Sequence, residues 1–156
     1  MKRILIAVLS MMVFCHGLAF AGESAPIFGD FPAQPFKGRP AKLQIVSAKD
    51  REYATRLRQL SGRKPNFGGH YTLVSWGCGA SCVMGAAIDA QSGKVVWLPF
   101  TICCWDFNVS EPLEFHRDSR LLIAHGSRNE SGGGDYYYQI EPSGFVLVKA
   151  YEKEQK

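Results

Sequence analysis

N-F-G-G-H-Y-T-L-V-S-W-G-C-G-A-S-C runs from Asn66 to Cys82, and V-M-G-A-A-I-D-A-Q-S-G-K-V-V-W-L-P-F-T-I-C-C-W-D continues it to Asp106. Side chains alternate faces along an extended chain. His70, Thr72, Val74 and Trp76 therefore share one face, and Tyr71, Leu73 and Ser75 the other. Residues 77–81 read as a turn, and residues 83–89 as a second strand. In that second strand Gly85 and Ala86 leave room for a large neighbour. Ala90-Gln91-Ser92-Gly93 is a hairpin turn, and residues 94–100 form a third strand.

Downstream, residues 113–116 and 121–125 pair across Arg117-Asp118-Ser119-Arg120. Residues 135–141 and 145–151 pair across Pro142-Ser143-Gly144. Short loops between successive strands imply an antiparallel meander. Residues 127–134 are polar and rich in glycine, and read as a mobile loop.

Upstream, residues 47–62 carry one helix signal. Ser47 and Asp50 form a capping box, Tyr53, Leu57 and Leu60 make an apolar stripe, and Gly62 suits the C-terminal cap. Residues 22–46 hold Pro26, Pro32, Pro35 and Pro40, which oppose regular structure. Phe28, Phe31 and Phe36 can pin this arm to the body, and residues 43–45 suit a short edge strand. The expected fold is α+β: one N-terminal helix packed on an antiparallel meander sheet of six to seven strands, stapled by disulfides. Residues 47–156 form its single domain.

The first residues read as a secretory signal peptide. Lys2 and Arg3 precede an apolar run over residues 4–14, and Ala19-Phe20-Ala21 is a cleavage motif. Cleavage after Ala21 leaves 135 of the 156 residues. A domain of that size buries about two-thirds of its surface on folding. Without Lys2 and Arg3, sixteen basic residues face fourteen acidic ones, a charge of +2. Nine of the sixteen lie in residues 31–64, which read as a solvated helix face and linker. Export and the lack of an aromatic-interleaved basic motif argue against nucleic acid as a partner. No later stretch is long and apolar enough to anchor the chain in a membrane.

Four cysteines remain after cleavage: Cys78, Cys82, Cys103 and Cys104. An even count in an exported chain points to disulfides, with three possible pairings. Consecutive strand residues face opposite ways, so Cys103 and Cys104 are expected to look apart. Cross-links from the 78–82 loop to the Cys103–Cys104 pair are therefore favoured over a vicinal ring. Thiols together with His70, His116 and His125 are soft ligands of the type zinc or copper takes, but their spacing matches no standard metal pattern. No metal or other cofactor is expected. Asp89, Asp106, Asp118 and Asp135 could partner those histidines in general acid–base work. Among the aromatics, Tyr136-Tyr137-Tyr138 alternate faces, so at least one is expected to be exposed as a recognition residue.

F-G-G-H-Y (67–71), W-G-C-G-x-x-C (76–82), I-D-x-x-S-G-K-V (88–95) and C-C-W-D (103–106) together resemble a group of uncharacterised small exported proteins of Gram-negative bacteria. The resemblance covers most of the mature chain and implies an exported single domain, with no activity attached. The chain is more loosely similar to the periplasmic inhibitors of vertebrate-type lysozyme. They too have a signal peptide, a helix before an antiparallel sheet, and a cysteine-bounded loop between strands. In that family the loop enters the lysozyme cleft and carries a histidine and an acidic residue. Here the loop is Gly79-Ala80-Ser81, one residue shorter and without either group.

The expected function is a secreted or periplasmic, non-enzymatic binding module for another protein or an envelope component. Its binding residues are expected to be Gly77, Gly79, Ala80, Ser81, Trp105, Tyr136, Tyr137 and Tyr138. One alternative is a small hydrolase using a His/Asp pair, and a second is a lysozyme-inhibitor-like protein.

Overall fold

Eight strands make one antiparallel sheet in the computed structural model, which describes residues 24–153. The expected signal peptide over residues 1–21, its cleavage site and Cys15 lie outside the described residues. The strands are β1 (Tyr71–Gly79), β2 (Cys82–Asp89), β3 (Val95–Trp97), β4 (Ile102–Cys103), β5 (Leu113–Phe115), β6 (Leu121–Arg128), β7 (Ser131–Glu141) and β8 (Gly144–Glu152). The order is β1-β2-β4-β6-β7-β8, with β3 also on β2 and β5 also on β6. Eight strands thus stand where six to seven were expected. β4 is the addition: two residues are too few to show a period.

β4 joins two halves of the sheet. Cys82 pairs with Cys103 on one side of it, and Cys103 with Ser127 on the other. The halves enclose a common core. Tyr71, Leu73 and Ala87 come from the first half, and Leu122, Ala124, Tyr136, Tyr138 and Ile140 from the second. Tyr71 and Leu73 thus occupy the inner face of β1, and the alternating partner Trp76 the outer face.

Both outer faces are covered. Two short helices, α1 (Ala48–Glu52) and α2 (Ala54–Leu60), lie over the first half. The expected single helix is broken at Tyr53, whose backbone (φ −100°, ψ 17°) leaves the helical range. There the Tyr53 ring lies 5.7 Å from that of Trp76 and 5.4 Å from that of Trp97. The capping box is formed: Asp50 N–H donates to Ser47 Oγ at 3.0 Å, and Asp50 Oδ2 accepts from Ser47 N–H at 2.8 Å. Leu57 is fully buried against Ala86 and Ile88, a burial that stabilises by about 1.5–3 kcal/mol. Residues 43–45 are not a strand. Leu43 and Ile45 pack against this cluster, and Gln44 N–H donates to Gly93 O at 2.8 Å.

The proline-rich arm covers the second half. Phe28 and Phe31 pack on Leu121, Ile123 and Tyr137. Ala33 N–H donates to Asp118 O, and Phe36 N–H to Gly69 O.

The glycine-rich stretch at residues 127–134 is sheet, contrary to the expected loop. β6 and β7 run through it and meet in a two-residue turn, Asn129-Glu130, with φ of 51° and 62°. Two positive φ angles are what a tight hairpin whose twist matches its strands requires. Gly134 is there because neighbouring backbone comes close. A Cβ on Gly134 would lie 2.1 Å from the Tyr151 carbonyl oxygen.

Candidate functional site

The β1–β2 hairpin ends in a covalent clamp. Cys78 and Cys82 are bridged, with Cα atoms 5.2 Å apart. The ladder shifts register between Gly77 and Gly79, leaving Cys78 outside the regular pairing and across the tip from Cys82. This overturns the expected cross-links from this loop to Cys103 and Cys104, both of which are free thiols. Gly77, Cys78, Gly79, Ala80 and Ser81 are all exposed. Ser81 adopts φ 51°, the left-handed turn that reverses the chain.

β2, β4 and β6 lie side by side. Cys82 pairs with Cys103, so the hairpin tip shares one end of the sheet with the corner after β4, residues 103–107. The Asn129-Glu130 turn lies the other way along β6, past Arg128 and beside Thr101. Asn129 ties that turn to the strand beside it: its N–H donates to Thr101 O, and its Oδ1 accepts from Thr101 N–H, both at 2.9 Å. The corner crosses tightly over β6, and a Cβ on Gly126 would lie 2.4 Å from Cys103 O.

The predicted binding residues separate in three dimensions. Gly77, Gly79, Ala80 and Ser81 form the exposed tip. Trp105 is half-buried and packs on the main core. Tyr136, Tyr137 and Tyr138 are 1%, 9% and 4% exposed, so the expected exposed tyrosine is absent. Alternation does send them to opposite faces, but the core covers one face and the Phe28–Phe31 arm the other. Phe107 is the side chain that sequence reasoning missed: it is fully exposed on the corner. An apolar residue inside the polar run D-F-N-V-S was its one signal.

Arg128, on β6, is well partnered. Arg128 lies 3.7 Å above the Tyr136 ring and donates to Tyr138 Oη at 2.6 Å. The Cys103 thiol is pushed up to about 11, first by its contact with Cys104, then by burial and by the charges of Cys104 and Glu130. It is therefore protonated at neutral pH.

The three histidines among the described residues differ. His116 stacks on Phe28 at 3.8 Å. His70 Nε2 lies 3.8 Å from Asp89 Oδ1, whose carboxylate is already engaged by the next turn. His125 Nδ1 lies 2.7 Å from Asp135 Oδ1, and its Nε2 lies 3.5 Å from Glu114 Oε2. His125 borders an open groove of about 380 Å³ with Ser110, Glu111, Glu114 and Phe115. Among the described residues no three His, Cys, Asp or Glu side chains converge as a metal-ligand group, and no helix is long and apolar enough to cross a membrane.

Comparison with protein-family models, with curated proteins and with solved structures gives no match.

Proposed function

We propose that the protein is a periplasmic or secreted, non-enzymatic binding module that docks another protein or an envelope component at the end of its sheet formed by residues 77–82 and 103–107. The observation that carries this is the disulfide-clamped, solvent-exposed tip at Cys78–Cys82, with the exposed Phe107 on the corner that leaves β4 at the same end of the sheet. A clamped tip loses little conformational entropy on docking. An exposed aromatic offers large contact area with few rotors. The backbone at the foot of the corner is held by the pairing of Cys103 with Cys82 and Ser127, so the surface is preorganised.

The test is capture from periplasmic extract by the mature protein, compared with Ala80→Asp and Phe107→Ala variants. Both variants should fold like the wild type and lose the partner, since anchors in such surfaces cost over about 2 kcal/mol when changed. Partner capture unchanged in both variants would remove this end of the sheet from consideration.

A second reading is favoured by the His125–Asp135 contact. A histidine oriented by a carboxylate on a groove is the arrangement a small hydrolase would use. Against it, Nε2 faces Glu114, so both ring nitrogens look at carboxylates and neither is turned toward a nucleophile. A hydrolytic activity lost in His125→Ala, with partner capture retained, would favour the hydrolase. The bridged Gly79-Ala80-Ser81 loop also keeps the lysozyme-inhibitor-like alternative open. A lysozyme inhibition assay addresses it, and without a histidine or acidic residue in the loop, no inhibition is expected.

A further inference from the structure

Cys103 and Cys104 do not look apart. Cys103 ends β4 as a regular strand residue paired with Cys82 and Ser127. Cys104 then turns to φ 55°, a left-handed conformation that non-glycine residues rarely adopt. That turn breaks strand alternation and swings the second thiol back onto the first. The two Sγ atoms lie 2.7 Å apart, closer than two sulfur atoms in ordinary non-bonded contact and within about 0.7 Å of a bonded pair. Cys103 is buried and Cys104 exposed, so the pair has one accessible and one shielded thiol.

We propose that Cys103 and Cys104 are a thiol–disulfide exchange site that closes to a vicinal disulfide when the protein meets a disulfide-bearing oxidant, whether a small molecule or a protein. The exposed Cys104, as its thiolate, attacks one sulfur of the oxidant disulfide R–S–S–R. The Cys104–S–S–R mixed disulfide forms and one R–S⁻ leaves, taking up a proton. Cys103 then loses its proton and attacks Cys104 Sγ, expelling the second R–S⁻. Two protein thiols are oxidised to one disulfide, and the oxidant is reduced to two thiols. The high Cys103 value noted above agrees with Cys104 attacking first, because only the thiolate is the nucleophile. Consecutive Cα atoms across a trans peptide are about 3.8 Å apart, shorter than the usual span of a disulfide. Strained or exposed bridges of this kind are the labile ones. The pair is thus a reversible element, in contrast to the Cys78–Cys82 clamp. Its closure would restrain the corner that leads through Trp105 to Phe107.

The experiment uses the purified full chain, equilibrated with glutathione disulfide, alkylated and mapped without reduction. The 103–104 peptide should carry no alkyl group and should show the mass of an internal ring, separate from the peptide holding Cys78 and Cys82. In Cys103→Ser, Cys104 should be trapped as a glutathione mixed disulfide. In Cys104→Ser, Cys103 should stay unmodified. A graded reductant should open the ring before the Cys78–Cys82 bridge. Alkylated Cys103 and Cys104 after glutathione treatment of the wild type would overturn the proposal. A map linking either of them to Cys78 or Cys82, or a stable mixed disulfide in the wild type, would do the same. The wild-type map decides the matter even if a serine variant does not fold.

Discussion

Trp97 donates its indole Nε1–H to Oδ1 of Asp50 at 2.8 Å, tying the short strand β3 to the first turn of α1. Asp50 is 5% exposed, and its other oxygen accepts from Ser47 and Val46 N–H. Burial alone raises a carboxyl, but here the hydrogen bonds from Trp97, Ser47 and Val46 outweigh it and hold the group below its ordinary 3.8. A folded-state value below the unfolded one means that ionised Asp50 stabilises above about pH 4, and that this contribution is lost as pH falls through the depressed value. Asp50→Asn should cost about 1–3 kcal/mol at neutral pH. Its urea midpoint should fall less than the wild type's between about pH 6 and pH 2.5. Equal falls would show that another group governs the acid limb.

Gly134 allows β7 and β8 to close up at the Tyr151 carbonyl. Gly134→Ala should cost at least about 1–3 kcal/mol, the cost of forcing strained backbone. Urea unfolding measures it. The same change at Gly29, around which nothing lies within 4 Å, should be near neutral.

Phe107 and Trp105 sit two residues apart on the corner and should behave oppositely. Phe107 is fully exposed, so Phe107→Ala should shift stability by no more than about 0.5 kcal/mol while weakening partner capture. Trp105 and Tyr137 pack on buried clusters. Trp105→Ala and Tyr137→Ala should each destabilise by about 2–4 kcal/mol, the cost of a large-to-small core change. Thermal melts and capture run in parallel separate the two effects.

Ser119 is 1% exposed and joins the arm to the sheet. Its Oγ lies 2.8 Å from Phe28 O and 3.2 Å from Phe31 O, and it accepts from Leu121 N–H at 3.2 Å. Ser119→Ala leaves these groups without that partner and should cost about 1–3 kcal/mol. Hydrogen exchange should rise first in residues 28–33 if the arm releases as a unit. Uniform exchange would place the loss in the sheet instead.

Local chemistry by itself determined much of this protein. Alternation from His70 to Trp76 specified a strand and sorted Tyr71 and Leu73 from Trp76. Ala90-Gln91-Ser92-Gly93 specified a hairpin, and Ser47 with Asp50 specified a helix start. Each depends on residues within a turn or two of one another, where period and capping geometry suffice. Tertiary structure alone decided the rest. Tyr136, Tyr137 and Tyr138 are all buried because a proline-rich arm more than a hundred residues upstream covers the face that alternation left open. Residues 127–134 are sheet because β6 and β7 pair through them and β8 pairs with β7 at Gly134. Cys78 pairs with Cys82 because a register shift brings them together across the tip, and His125 meets Asp135 because β6 and β7 place them opposite each other. Cys103 and Cys104 face each other because the chain turns left-handed where it crosses Gly126. These outcomes depend on which segments of backbone lie side by side, and a one-dimensional period carries no information about that.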